Sequence, residues 1–191
     1  MKQINKYIWG HLENPKFSIV ERLHINKDTG NYDHHYNYHP TTRDELKELV
    51  DKLIKERGYD TDLNDIDTSE ITDMYGMFKS SNFNGDISGW DVSKVENMNY
   101  MFYRSSFTGD ISKWNVSNVT NMNSIFRCSV FNGDISKWNV SNVKYIGYMF
   151  AYSEFTGENG DISNWNVSNV KNMDGMFLCS PLQKNPPKWY K

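Results

Sequence analysis

The chain has 191 residues, enough for one or two domains with a sizeable buried core. Its 21 basic and 24 acidic residues leave a net charge of −3, which gives no general electrostatic reason to bind nucleic acid or an anionic membrane. Aromatics at 15% are too many for a disordered chain, two cysteines are too few for a disulfide scaffold, and no apolar run approaches the roughly 18 residues of a membrane span. The N-terminal stretch has no basic-then-apolar leader pattern. The expectation is therefore a cytoplasmic protein, with a surface location left open.

Residues 1–40 read as a separate β-hairpin module. Phe17, Ile19, Leu23 and Ile25 alternate like a strand, residues 26–30 are turn-rich, and Tyr32, His34, Tyr36 and Tyr38 share one face of a second strand. All five histidines lie here: His11, His24, His34, His35 and His39. Asp33, His35 and His39, with His24 across the hairpin, form the one metal-ligand grouping in the sequence. On a strand those positions span roughly 7–14 Å, too far for a tight site, so no metal is expected. No cofactor is expected either.

Residues 41–60 read as a capping helix. Thr42 and Glu45 form a capping-box pattern, and Leu46, Leu49, Val50, Leu53 and Ile54 make one apolar stripe. Gly58 sits where helices commonly end.

Residues 61–182 are an internal repeat of about five units. Trp90, Trp114, Trp138 and Trp165 are spaced by 24, 24 and 27 residues. An apolar-Phe pair recurs, ending at Phe78, Phe102, Phe126, Phe150 and Phe177, and G-D-I-S recurs at Gly85, Gly109, Gly133 and Gly160. Three extra residues sit near Glu158 in the last interval. Trp114 and Val116 alternate with polar residues in strand fashion. Val119, Met122, Ile125 and Phe126 fall at helical steps, with Ser117 or Thr120 as a cap. Each unit thus reads as strand, turn, short helix, turn, and stacked units form an α/β solenoid. Residues 183–191 form a C-terminal cap in which Pro186-Pro187 ends the array and Trp189 and Tyr190 fold back.

Asp86, Asp110, Asp134 and Asp161 hold one repeat position, where a carboxylate accepts turn N–H bonds beside a glycine that permits the turn. Asn115, Asn139 and Asn166 match a glycosylation pattern, but copying of one repeat explains them. Cys128 and Cys179 lie two units apart, roughly 10 Å, beyond disulfide reach, and are expected as free, partly buried thiols. No nucleophile, base or phosphate-loop arrangement is present, so the protein reads as a non-enzyme.

The run F-N-G-D-I-S-K-W-N-V-S-N-V at 131–143, with the recurring M-F, resembles the leucine-rich repeats of BspA-type bacterial proteins. These are surface lipoproteins of Bacteroidetes and mycoplasmas with intracellular and phage-encoded relatives. The resemblance covers residues 42–191, including end pieces at 45–58 and 185–191. It implies a short leucine-rich-repeat-like solenoid and protein recognition or adhesion, with no catalytic residues to carry over.

Protein binding is the function these readings favour: an intracellular binder or inhibitor of a host or competitor protein, for example a phage-encoded anti-defence factor. The alternatives are a BspA-type adhesin or a structural component of a phage particle. The expected partner is a protein, not nucleic acid or membrane. The expected contact surface is the hairpin, through Tyr32, His34, His35, Tyr36 and Tyr38. It is joined by Tyr103, Arg104, Arg127, Tyr152 and Glu158, which vary between units where the core sets no requirement. The competing surface is the polar row Asp91, Lys113, Asn115, Lys137, Asn139, Asn164 and Asn166.

Overall fold

The computed structural model describes Leu23–Ile25 and residues 32–191, with side chains from Tyr36 onward. Strands β1 (Leu23–Ile25) and β2 (Tyr32–His35) pair antiparallel, Leu23 opposite His35 and Ile25 opposite Tyr32, with an irregular register between them. The long hairpin expected to run through Tyr38 is corrected. β2 stops at His35, and Tyr38 makes a parallel bridge to Ile66 in the repeat region. Phe17 and Ile19 lie outside the described residues.

Helix α1 (Arg43–Arg57) begins at Thr42, whose hydroxyl accepts from the Glu45 N–H while the Glu45 carboxylate accepts from the Thr42 N–H. That reciprocal pair satisfies two of the helix's orphan donors. Gly58, at φ 98°, closes the other end and donates to the Ile54 carbonyl. Leu46, Leu49, Val50 and Leu53 are buried and belong to the same core as the repeats.

The expected α/β fold, a leucine-rich-repeat-like solenoid of strand–turn–short-helix units, is not what the chain builds. Among the described residues after Arg57 there is no strand and no α-helix. The one named element there is the 3-10 turn Pro181–Gln183. Each unit is a coil of successive tight turns. Between Ile111 and Ser129, turns close through Trp114 N–H to Ile111, Val119 to Val116, Ile125 to Met122, Arg127 to Ser124 and Ser129 to Phe126. The apparent strand and helix periodicities are both produced by this spiral, whose corners point inward every two to four residues. Thr120 caps no helix; its N–H bonds the Glu96 carbonyl of the preceding coil.

Side chains hold the corners. The Asp110 carboxylate accepts from the Ser112 N–H at 2.9 Å, Asn115 from Ser117 at 3.2 Å, Asn121 from Asn123 at 3.1 Å and the Ser105 hydroxyl from Phe107 at 3.2 Å. Each is a side chain bonding the backbone two residues on, the local alternative that Asp, Asn and Ser offer to regular structure. Asp86, Asp134 and Asp161 repeat the first of these bonds. The neighbouring glycine plays a different part from the one expected. Gly85, Gly109, Gly133 and Gly160 do not adopt positive φ. They make room: a Cβ on Gly85 would lie 1.8 Å from the Thr61 carbonyl oxygen of the adjacent coil.

Coils stack through backbone bonds. Met98, Tyr100, Phe102 and Arg104 donate to the carbonyls of Asn121, Asn123, Ile125 and Arg127, and parallel bridges link Asp73, Asn97, Asn121, Tyr145 and Asn172 in series. Inside, Phe78, Phe102, Phe126, Phe150 and Phe177 stack at 5.6–5.8 Å between ring centroids. The ends of the ladder are blocked by side chains. Arg43 of α1 donates to the Tyr75 carbonyl, and Gln183 accepts from the Cys179 N–H. Trp189 is more than a folded-back cap. Its indole N–H bonds the Ile162 carbonyl at 2.9 Å and its ring stacks on Trp165, so it takes the tryptophan place of a sixth, partial coil.

Candidate functional site

Registering the coils gives columns of equivalent residues. Two of these columns, four residues apart, run at positive φ: Gly76, Tyr100, Ser124, Tyr148 and Gly175, and Ser80, Arg104, Cys128, Tyr152 and Cys179. Each residue is the third of a hydrogen-bonded turn, as Tyr100 is in the turn closed by Met101 N–H to the Met98 carbonyl. A type II turn demands φ > 0 there and favours glycine. A residue with a Cβ costs roughly 1–2 kcal/mol in that conformation. Glycine occurs at Gly76 and Gly175, yet eight non-glycine residues fill the other places. Backbone strain of this kind points to side chains kept for something other than the fold.

Four of the eight, Tyr100, Arg104, Tyr148 and Tyr152, belong with neighbouring Tyr75, Lys79, Tyr103 and Arg127 to one ribbon of tyrosines and cations. Tyr75 meets Tyr100 edge-on at 6.0 Å, and Tyr100 meets Tyr103 at 5.3 Å. Lys79, Tyr103 and Arg127 stand in one column on successive coils. Lys79 Nζ lies 5.7 Å and the Arg127 guanidinium 6.0 Å from the Tyr103 ring centre. Arg104 lies 5.3 Å from the same ring, and Arg127 also lies 5.2 Å from the Tyr148 ring. These are cation–π distances. Tyr75, Tyr148 and Tyr152 are 38%, 40% and 50% exposed. The ribbon offers large rigid rings and fixed N–H donors to solvent.

Of the residues expected at the contact surface, Tyr103, Arg104 and Arg127 come together in the ribbon. Tyr152 lies in the left-handed column of Arg104, two coils on. Glu158 is exposed in the inserted loop, where its N–H bonds the Thr156 hydroxyl, and no contact among the described residues joins it to the ribbon. Tyr36 and Tyr38 do not form a hairpin face. Tyr38 packs on the core, accepts a bond from Arg57 at 3.3 Å and lies under that guanidinium. Tyr36 is half-buried against the edge of His39, and burial, then Asp67 and Asp91, raises its phenol pKa. The side chains of Tyr32, His34 and His35 lie outside the described residues.

Sequence reading missed Tyr75, Lys79, Tyr100 and Tyr148. The signal was present: Gly76 and Gly175 are in register with Tyr100, Ser124 and Tyr148, which marks that column as one where glycine is the comfortable residue.

The competing polar row serves mainly the fold. Asn115, Asn139 and Asn166 hold turn N–H groups, and the Asn118 and Asn142 amides bond the Ser93 and Ser117 carbonyls of the preceding coils. The open groove lined by Thr72, Lys94, Glu96, Asn118, Thr120, Asn142 and Lys144 therefore has its asparagine groups already engaged. Both cysteines are free. Cys128 is partly buried, as expected, but Cys179 is exposed. His39 bonds Asp67 at 3.2 Å, and among the described residues no three His, Cys, Asp or Glu side chains converge as a metal site. The side chains of Asp33, His24 and His35 lie outside the described residues. No helix among the described residues is long and apolar enough to cross a membrane.

Comparison with curated proteins and with solved structures finds no match. One family model does match, over residues 45–157 and 105–190, and so covers both the helix and the whole run of coils. By that match the chain belongs to the family described as Mycoplasma protein of unknown function, DUF285.

Proposed function

We propose that the protein is a non-enzymatic protein-recognition module and that the tyrosine–cation ribbon is its contact surface. The observation that carries this reading is the strain at Tyr100, Arg104, Tyr148 and Tyr152, where glycine would serve the turn at lower cost. Tyr and Arg are the side chains most enriched where proteins meet, and rings already held by neighbours lose little freedom on binding. The likeness of 131–143 to BspA-type repeats agrees with a recognition role and is the finer family placement proposed here. Binding or inhibition of another protein is the activity, and no chemistry on a substrate is involved.

The test is affinity capture from the native host with quantitative mass spectrometry. It compares the wild-type chain with a Tyr100→Gly, Arg104→Gly, Tyr148→Gly triple variant. The variant should remain folded, because glycine suits all three places, and should lose the captured protein. Full capture by the folded variant, with loss instead in Lys113→Glu with Lys137→Glu, would move the contact to the polar row.

A further inference from the structure

We infer that the ribbon's partner is an acidic peptide segment, whose carboxylates are received by Arg104, Arg127 and Lys79. This rests on the ribbon being the contact surface. Three cations gather about the single ring of Tyr103, at 5.3, 5.7 and 6.0 Å. Among the described residues, none of the three has a carboxylate within 4.0 Å. The ion pairs all lie elsewhere, at Asp67, Asp44, Asp51, Glu56, Asp65 and Glu70. Among the described residues, the buried Arg127 Nε–H has no acceptor.

Protein surfaces usually intersperse charges of both signs, and like charges converging without a counter-ion repel. In a chain of net charge −3, an uncompensated cationic group of this kind is a local anion site. The guanidinium groups are also pre-positioned. Arg127 is held over both Tyr103 and Tyr148, so its fork is fixed before a partner arrives, and a carboxylate matches that fork in two parallel hydrogen bonds.

The same geometry selects against other anionic partners. Stacking of nucleobases needs successive free ring faces, but at the centre of the ribbon Lys79 lies over Tyr100, and Lys79, Arg104 and Arg127 crowd Tyr103, which leaves Tyr152 as its most exposed ring. An anionic bilayer would meet the remaining acidic surface of the molecule, and the ribbon's exposed rings carry phenol groups rather than an apolar wedge.

The experiment pans a random 12-residue displayed peptide library on the full chain, then measures affinity for the enriched peptides. Labelled oligo(dT) and phosphatidylserine vesicles serve as rival probes. Enriched peptides should be rich in Asp and Glu. They should bind at least tenfold more weakly to Arg104→Gln with Arg127→Gln, and more weakly as salt is raised. Lys79→Gln, at an exposed position, is the second variant, and melting curves establish that each is folded. Enriched peptides lacking acidic residues, but weakened by Tyr100→Gly with Tyr148→Gly, would overturn the acidic partner and leave the ribbon as the contact surface. Peptides indifferent to both sets of variants would overturn the ribbon itself. Tighter binding of oligo(dT) or vesicles than of any acidic peptide would overturn the partner class, as would a library that yields no binder.

Discussion

The indole N–H of Trp138 donates to the carbonyl of Ile111 in the preceding coil, at 3.1 Å. Trp114 makes the same bond to Ile87, Trp90 to Leu63 and Trp165 to Ile135. Each tryptophan therefore both fills the core and fixes the register of one coil on the next. Trp138→Phe keeps most of the apolar surface but removes one of the two donors to the Ile111 carbonyl, which keeps the Trp114 N–H, and should cost about 0.5–1.5 kcal/mol. Trp138→Ala should cost roughly 3–5 kcal/mol. Lys137→Ala, on the exposed side, should stay within about 0.5 kcal/mol of wild type. Chemical denaturation midpoints measure all three, and equal midpoints would refute the inward assignment of Trp138.

Two glycines separate crowding from backbone strain. Gly76 has φ 60° and its missing Cβ would find atoms no closer than 3.7 Å, so Gly76→Ala should cost only the conformational term, about 1 kcal/mol. Gly85 has ordinary φ, but a Cβ there would drive into the Thr61 carbonyl of the adjacent coil. Gly85→Ala should cost roughly 3 kcal/mol, the upper end for overpacking. A reversed order in thermal melts would mean that the coils are not in this close contact.

The turn aspartates make stability pH-dependent. The backbone N–H of the serine two residues on, and then its hydroxyl, holds the carboxyls of Asp86, Asp110 and Asp134 below the ordinary carboxylate value. At Asp161 the Ser163 hydroxyl contributes first and the N–H second. A carboxyl with a lowered folded-state pKa stabilises the fold fully above its unfolded value, about 3.9. That contribution is lost as pH falls through the lowered value. The melting temperature should therefore drop as pH goes from about 5 toward 2. Converting all four to Asn, which still accepts the turn bond, should flatten that drop. An unchanged acid limb would show that other carboxyls set it.

Residues 36–40 belong to the stack. Tyr38 accepts from the Asp67 N–H, both Asn37 and Tyr38 donate to the Asp65 carbonyl, and His39 bonds the Asp67 carboxylate. Deleting residues 1–40 should lower the melting temperature clearly below that of a chain lacking only 1–35. Identical melts would mean that this segment adds nothing to the first coil.

The repeat and its core were legible because burial is imposed identically on every coil. Trp90, Trp114, Trp138, Trp165 and the phenylalanine columns are all inside, where the spacing placed them. The Thr42–Glu45 capping box was legible because it is local in sequence. The backbone path was not. Inward positions two to four residues apart are common to strands, short helices and a spiral of turns, and only the corner bonds of Asp110, Asn115 and Asn121 distinguish the last. Tyr38 was misplaced because its partners, Arg57 and Ile66, are distant in sequence. Half of the ribbon was found through residues that vary between units. The rest is Tyr75, Lys79, Tyr100 and Tyr148, and the last two depend on a backbone angle that shows in sequence only where glycine occupies the same column.

The central claim is that Tyr100 and Tyr148 in the left-handed columns are kept for binding and add no net stability to the fold. A Tyr100→Gly, Tyr148→Gly double variant tests it most directly, through its melting temperature measured beside its affinity for the partner or enriched peptide. Glycine relieves roughly 1–2 kcal/mol of strain at each site against about 0.5–1 kcal/mol of lost ring contact and added chain entropy of similar size. The melting temperature should hold within about 4 °C of wild type, while affinity falls at least tenfold, about 1.4 kcal/mol. A variant that melts far lower yet binds as tightly as wild type would contradict the account, because Tyr100 and Tyr148 would then be serving the fold and not the partner.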